Sequence, residues 1–323
     1  MESNEVLRDL RVVDRGAAVS GWSGGIAQWW GNDWSYLSVA FTWKLDEAYQ
    51  RAAFERARGL NVAVGGPALF LRPMRERFED LGCAVGGEYP EAVTKHNPEA
   101  TFASRGCPVN CSFCIVPAME GRKFTLIDGF TPRPILCDNN LSGLPADYQD
   151  FIIRRYRESG TALRDANSGF EPATFTPDVY ARWRSLVNEG RGPWRFAYDE
   201  SSERREAIAA MRMLADEPSK RKRVYVLIGN EPFSECLARI GETIAEGCEP
   251  HVQPLMKLNA LRKRAWVRFD WTEQRLRDVA RWANGFVWKR ADFKDYERGR
   301  KTRVPTHGQG SFEGMGTTGE GPR

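Results

Sequence analysis

Three of the seven cysteines fall within eight residues, as Cys107, Cys111 and Cys114 in the run Ser104-Arg105-Gly106-Cys107-Pro108-Val109-Asn110-Cys111-Ser112-Phe113-Cys114. A loop this tight cannot bury three thiols separately, so the spacing predicts one shared centre. A closed zinc site needs a fourth protein ligand. His96 lies eleven residues before Cys107, and the next cysteine after Cys114 is Cys137, so none stands at ordinary spacing. A 4Fe–4S cluster normally takes four cysteines; held by three, it leaves one iron open to a small ligand. Cys83, Cys137, Cys236 and Cys248 are scattered and show no second ligand set. Seven cysteines in 323 residues are too few and too uneven for a secreted disulfide framework, which points to a reducing cytoplasm.

Strand and helix patterns set the cluster in an α/β context. Residues 1–97 read as a smaller α/β domain. Tyr36–Phe41 is rich in β-formers, Asp46 begins a helix with Ala53, Phe54 and Ala57, and Asn61–Val64 is a second strand ended by Gly65-Gly66-Pro67. Trp22, Trp29, Trp30 and Trp34 sit among glycines, where no regular element is assigned. From residue 98 strands and helices alternate. The expected strands are Ala100–Ser104, Ile135–Cys137, residues 163–167, Trp194–Tyr198, Val224–Ile228 and residues 250–255. The helices between them begin after Pro145, at Thr176-Pro177, after Tyr198, after Ile228 and at Thr272. Six βα units predict a partial (βα)6, TIM-like barrel over 98–256, with an open doubly wound sheet as the alternative. Residues 257–298 are expected to be a helical extension, and 299–323, with seven glycines, a flexible tail.

Composition narrows the function classes. Lys and Arg number 47 against 43 Asp and Glu, a net charge of +4, too weak for binding driven by overall charge. No apolar run approaches the 18 or so residues of a membrane span, so no membrane association is expected. The first sixteen residues hold no apolar stretch of signal-peptide type. The basic charge is local, in Lys220–Arg223, Arg262-Lys263-Arg264 and Arg298–Arg303. These runs raise a nucleic-acid partner, although Lys220–Arg223 precedes a strand and lies opposite the mouth where the cysteines are expected.

The C-x3-C-x2-C spacing, with Phe113 before the last cysteine and a strand just ahead, resembles the radical S-adenosylmethionine (radical SAM) superfamily. The wording Ser104–Cys114 is similar to members that carry an N-terminal cobalamin-binding-like α/β domain, and the resemblance covers residues 98–256. It implies that Cys107, Cys111 and Cys114 each hold one iron, and that the fourth iron binds the amino and carboxylate groups of SAM. Reductive cleavage would then give methionine and a 5′-deoxyadenosyl radical that abstracts hydrogen from a substrate. An electron donor such as flavodoxin or ferredoxin is implied. By the same resemblance Asp138, Asn139 and Asn140 meet the SAM amino group, Asn167, Ser168 and Glu171 make polar contacts to SAM, and Gly229 and Glu231 lie near the adenine. Gln253 would line the adenine pocket, with Phe113 beside the cluster. The bare alternatives are strand-end turns, solvated loops and core packing. Cobalamin binding is not expected: the relatives use a D-x-H-x-x-G motif, and the chain has none. The alternative from another class is a non-catalytic Fe–S or zinc-binding module, with nucleic acid as its partner.

Overall fold

The computed structural model describes residues 21–302 apart from Leu71, Glu88, Pro90, Glu91 and Ser168. Its first unit is a four-stranded sheet in the order β1 (Ile26–Gly31), β2 (Trp34–Val39), β3 (Asn61–Gly65) and β4 (Ala84–Val85). Helices α1 (Leu45–Ala57) and α2 (Arg72–Asp80) link β2 to β3 and β3 to β4, and both of those pairs are parallel. Of the tryptophan-rich stretch left unassigned by pattern, Trp29, Trp30 and Trp34 lie in the antiparallel β1–β2 hairpin, and Trp22 precedes it. Asn32 takes φ 51° at its turn, a left-handed conformation that asparagine accepts readily. The register sets Trp29 opposite Tyr36, and their rings stack at 5.6 Å. Leu37, Val39, Leu45, Ala48, Val62, Val64 and Phe78 form the core of this unit. A short helix, α3 (Ala92–His96), leads out of it, and the His96 ring bridges the hydroxyls of Ser23 and Ser38.

The second unit begins with β5 (Ala100–Thr101), followed by β6 (Ser104–Arg105), which pairs antiparallel with β7 (Thr125–Leu126). Five further strands are β8 (Ile135–Leu136), β9 (Asp165–Ala166), β10 (Trp194–Ala197), β11 (Lys222–Ile228) and β12 (Glu249–Pro254). β5, β8 and β9 form one parallel sheet and β10, β11 and β12 another. A lone parallel bridge, Phe170 to Phe196, joins them. The six parallel strands therefore lie side by side in chain order, with all carboxyl ends at one edge. Among the described residues no sheet closes into a barrel. The architecture is mixed α/β built from small sheets.

The single strand expected over Ala100–Ser104 is broken. The Asp138 carboxylate accepts from the Ala103 N–H at 2.9 Å and the Ser104 hydroxyl at 2.5 Å. These bonds draw the chain out of the β5–β8 ladder and send it into β6. Downstream helices follow their apolar stripes. α4 (Val116–Met119) is a single turn after the cysteines, and α5 (Ala146–Ser159) buries Ile152, Ile153 and Tyr156. Thr176 caps α6 (Pro177–Glu189) by accepting from the Val179 N–H at 3.3 Å, and Val179, Trp183, Leu186 and Val187 are buried. α7 (Arg204–Met213) and α8 (Phe233–Ala245) flank β11, whose Val224, Val226 and Ile228 are buried. α9 (Glu273–Asn284) starts at a Thr272 cap, and α10 (Phe293–Thr302) runs through Gly299, where the tail was expected to begin. The rest of that tail lies outside the described residues. No helix among the described residues is long and apolar enough to cross a membrane.

Candidate functional site

The cysteine loop leaves the carboxyl edge of the parallel strands through Gly106. Gly106 has φ +81°, and a Cβ there would stand 2.3 Å from the Lys123 carbonyl oxygen, so any other residue would force the loop apart. The Cys107 N–H donates to the Gly121 oxygen at 3.3 Å, and the Cys114 N–H donates to the Cys111 oxygen at 3.1 Å, which closes a turn around the last two cysteines. Glu120, just after α4, clamps the loop from below. Its carboxylate accepts from the Gly106 N–H at 3.0 Å and from Asn139 Nδ2 at 2.7 Å, and it pairs with Arg105.

All three thiols are free and half-buried. Burial raises each of them above the ordinary thiol range, and Cys111 is pushed up to about 12 by burial, then by Glu171, Cys114, Glu203 and Cys107. Opposing this, backbone N–H groups of Val109 and Val116 donate to the Cys107 and Cys114 sulfurs, and Asn140 Nδ2 lies 3.9 Å from Cys107 Sγ. Among the described residues no three His, Cys, Asp or Glu side chains are arranged to hold a metal ion as they stand.

The other expected site residues divide by role. Asp138 is fully buried, and both its oxygens face Ala103 and Ser104, so it fixes the chain ahead of the cysteines. Burial pushes its carboxyl up to about 6 against those hydrogen bonds. Asn139 reaches Glu120. Asn140 accepts from the Gly143 N–H at 2.8 Å, and its amide nitrogen is turned to Cys107. Asn167 hydrogen-bonds to the buried Cys137 thiol, and Ser168 lies outside the described residues. Glu171 is within Coulomb range of Cys107 and Cys111, with its backbone N–H held by Ser142 Oγ at 2.8 Å. Phe113 is half-buried beside Cys114.

The β11 and β12 residues stand further from the thiols in role. Gly229 turns at φ +86°, where a Cβ would press on Leu276 at 3.2 Å. The Glu231 carboxylate accepts from the Ser201 N–H at 3.1 Å and pairs with Arg239 at 3.1 Å. Gln253 is exposed.

Pattern reading missed the acids that complete this edge. Asp199 and Glu203 follow β10, and with Glu171 they form a mutually repelling group beside the thiols. Burial, then Glu203, pushes Asp199 up to about 7, and burial raises Glu171 and Glu203. The signal was present, since a strand ending at residue 198 puts Asp199 at the same edge as Cys107. Ser142 was also missed: its hydroxyl ties the β8 loop to Glu171 and receives Thr174 Oγ1 at 2.9 Å. Glu120 carried no signal, because a glutamate before glycine looks like solvated surface.

No protein-family model matches the chain, and no curated protein matches it.

Proposed function

We propose that the chain is a radical SAM enzyme whose Cys107, Cys111 and Cys114 hold a 4Fe–4S cluster. The observation that carries this reading is the meeting of three free thiols in one loop with the carboxyl ends of six parallel strands that follow chain order. On this reading the strands form the arc of a partial (βα)6 barrel, whose mouth is the place for chemistry. The donor set fits the group. Thiolates are the natural ligands of Fe–S iron, and hydrogen bonds to their sulfurs tune it. Burial raises all three thiols, and a bound cation would reverse this, because a coordinated thiol is deprotonated outright.

When bound, the cluster supplies the electron that splits the sulfonium C–S bond of SAM, yielding methionine and a 5′-deoxyadenosyl radical for hydrogen abstraction. The chain's own residues do the positioning. Val109, Val116 and Asn140 direct hydrogen bonds at two sulfurs, Glu120 keeps the loop closed, and Asp138 fixes its entry. SAM brings an ammonium and a sulfonium, and Glu171, Asp199 and Glu203 are the acidic groups that face such charge. The adenine side falls to Gly229, Glu231 and Gln253 by their strand ends alone. Electrons come from a flavodoxin- or ferredoxin-like donor, and the seven free thiols suit a reducing compartment such as the cytoplasm.

Anaerobic reconstitution with iron and sulfide tests this. The expected outcome is a brown protein with about four irons per chain that releases 5′-deoxyadenosine from SAM under a strong reductant. A colourless protein that takes up zinc and no iron would move the chain to the structural-module reading.

A further inference from the structure

Between β12 and α9 the chain runs through residues 255–271 with no strand or helix, at the sheet edge that also carries the cysteine loop. It is pinned rather than loose. The Leu255 N–H donates to the Ile228 oxygen at 2.8 Å, the Trp266 N–H to the Leu255 oxygen at 2.7 Å, and Trp271 Nε1 to the Glu231 oxygen at 2.8 Å. Thr42 of the first unit donates its hydroxyl to the Ala260 oxygen at 2.5 Å, so the strap also touches the smaller domain.

Residues 255–271 hold five cations, Lys257, Arg262, Lys263, Arg264 and Arg268, and one acid, Asp270. The Asp270 carboxylate accepts from the Phe233 N–H at 2.9 Å, and Leu258, Leu261 and Val267 are exposed among the cations. Arg264 pairs with Glu273, while among the described residues no carboxylate pairs with the other four. Set between the cations are exposed rings, Trp266 and Phe269 at 39% and 55% exposure. The Arg268 guanidinium lies 4.7 Å from the Trp266 centroid and 5.0 Å from that of Phe269. Phe269 also sits at φ 52°, a left-handed conformation that a bulky aromatic rarely takes. Its ring is thus held in water by a backbone under strain, and such strain gathers at functional segments.

Four cations without a carboxylate partner, with Lys257 and Arg268 over the Trp266 ring and the Phe269 ring exposed beside them, match a polyanion that carries flat rings of its own. The strap presents no helix or ribbon to fill a duplex groove, and a base can stack on the exposed Phe269 ring beside the Arg268 guanidinium, which a polyanion without rings cannot do. The geometry points to residues 255–271 as a binding strap for single-stranded nucleic acid. Phosphates lie on Lys257, Arg262 and Lys263, and a base stacks on the open face of Phe269 with Arg268 beneath it. The binding needs no cluster. That the bound strand is the substrate class rests on the radical SAM reading, because the strap leaves β12 at the edge where the cysteine loop sits.

Fluorescence anisotropy on the full chain, purified without cluster, tests the binding with a labelled single-stranded RNA 12-mer, its duplex and a polyglutamate competitor. The single strand should bind with an affinity that falls as salt rises. Phe269→Ala should weaken it about fivefold or more with the salt slope unchanged, and Phe269→Trp should restore it. Replacing Arg262 and Lys263 by Gln together should lower the slope by about 1.4. Equal affinity for the duplex, no effect of Phe269→Ala, or displacement by polyglutamate as effective as by unlabelled RNA would each overturn the proposal. Because the protein carries no cluster, these failures leave the enzyme reading intact. Conversely, a zinc-only protein that still binds the single strand would keep the strap and remove the substrate clause.

Discussion

The two halves of the parallel arc are built differently. β10, β11 and β12 are four, seven and six residues long and are held by continuous ladders. β5, β8 and β9 are two residues each. In the short half, side chains replace the ladder. Asp138 takes the Ala103 N–H, while Tyr148 Oη donates to the Ala103 oxygen at 2.7 Å and accepts the Ile127 N–H at 2.8 Å. Gln149 Nε2 donates to the Leu144 oxygen at 2.7 Å, and Trp183 Nε1 donates to Gln149 Oε1 at 2.8 Å. The cysteine loop needs an irregular path out of β5, which a regular ladder would forbid. Buried side-chain hydrogen bonds specify that path, but each depends on one residue. The long half also takes side-chain bonds, from Asp199, Arg239 and Asn284 to the backbone of Tyr198, Leu227 and Val252. Its ladders remain when one is lost, so the short half should be the more sensitive to single polar changes.

The largest effect is expected at Asp138. Asp138→Ala strands the Ala103 N–H and the Ser104 hydroxyl in a fully buried site. At about 1–3 kcal/mol for each unsatisfied group, the loss should be roughly 3 kcal/mol or more. Urea unfolding should show it, and iron content after reconstitution should fall with it, because the loop's entry is lost. A variant with wild-type stability and full iron would mean that the short half is held by something else.

That asymmetry also decides what could be read from residues alone. β11 was legible because Val224–Ile228 is an unbroken run of apolar β-formers, and α6 because its cap and its stripe agree. The three cysteines were legible by spacing. The break after Thr101 was not, because it depends on a carboxylate more than thirty residues away in sequence. The same holds for Glu120 and for the acidic group Glu171, Asp199 and Glu203, whose meaning appears only when separate strand ends are brought to one edge. Asp138 and Asn140 were expected to contact SAM. Asp138 faces the chain ahead of the cysteines and Asn140 turns to Cys107, roles that no local pattern distinguishes from a ligand contact.

A pH series sharpens the contrast. Burial raises the carboxyls of Asp138, to about 6, and Asp199, to about 7, and it also raises Glu171 and Glu203. A raised carboxyl means the folded state binds its proton more tightly than the unfolded chain does, so the contributions of Asp138 and Asp199 are full below about pH 4 and are lost as pH rises through 6 and 7 respectively. For Asp138 alone that is on the order of 3 kcal/mol. In the cluster-free protein the stability difference between wild type and Asp138→Asn should therefore shift against the wild type from about pH 4 to pH 7. A difference that stays constant or shifts the other way would contradict the raised Asp138 carboxyl.

Tyr148→Phe is expected to cost less. It removes one donor to the Ala103 oxygen and one acceptor for the Ile127 N–H, but those two groups keep their own bond at 2.9 Å, so the loss should be about 1–2 kcal/mol. The ring still packs beside Phe151 at 5.4 Å. Iron retention should drop modestly, since Ala103 is held from two sides and Asp138 remains.

The smallest effect should come from the other half. Ile228 is the last residue of β11, fully buried, and its oxygen receives the Leu255 N–H at the root of the strap. Ile228→Val removes one methyl group and no hydrogen bond, because the bond uses the backbone. The expected loss is about 0.5–1.5 kcal/mol in urea unfolding, and iron content should stay at the wild-type level, because nothing in the cysteine loop depends on that methyl. If Ile228→Val instead lowered iron as much as Asp138→Ala does, the two halves would be one cooperative structure around the site. The division between a ladder-held half and a side-chain-held half would then be one of appearance alone.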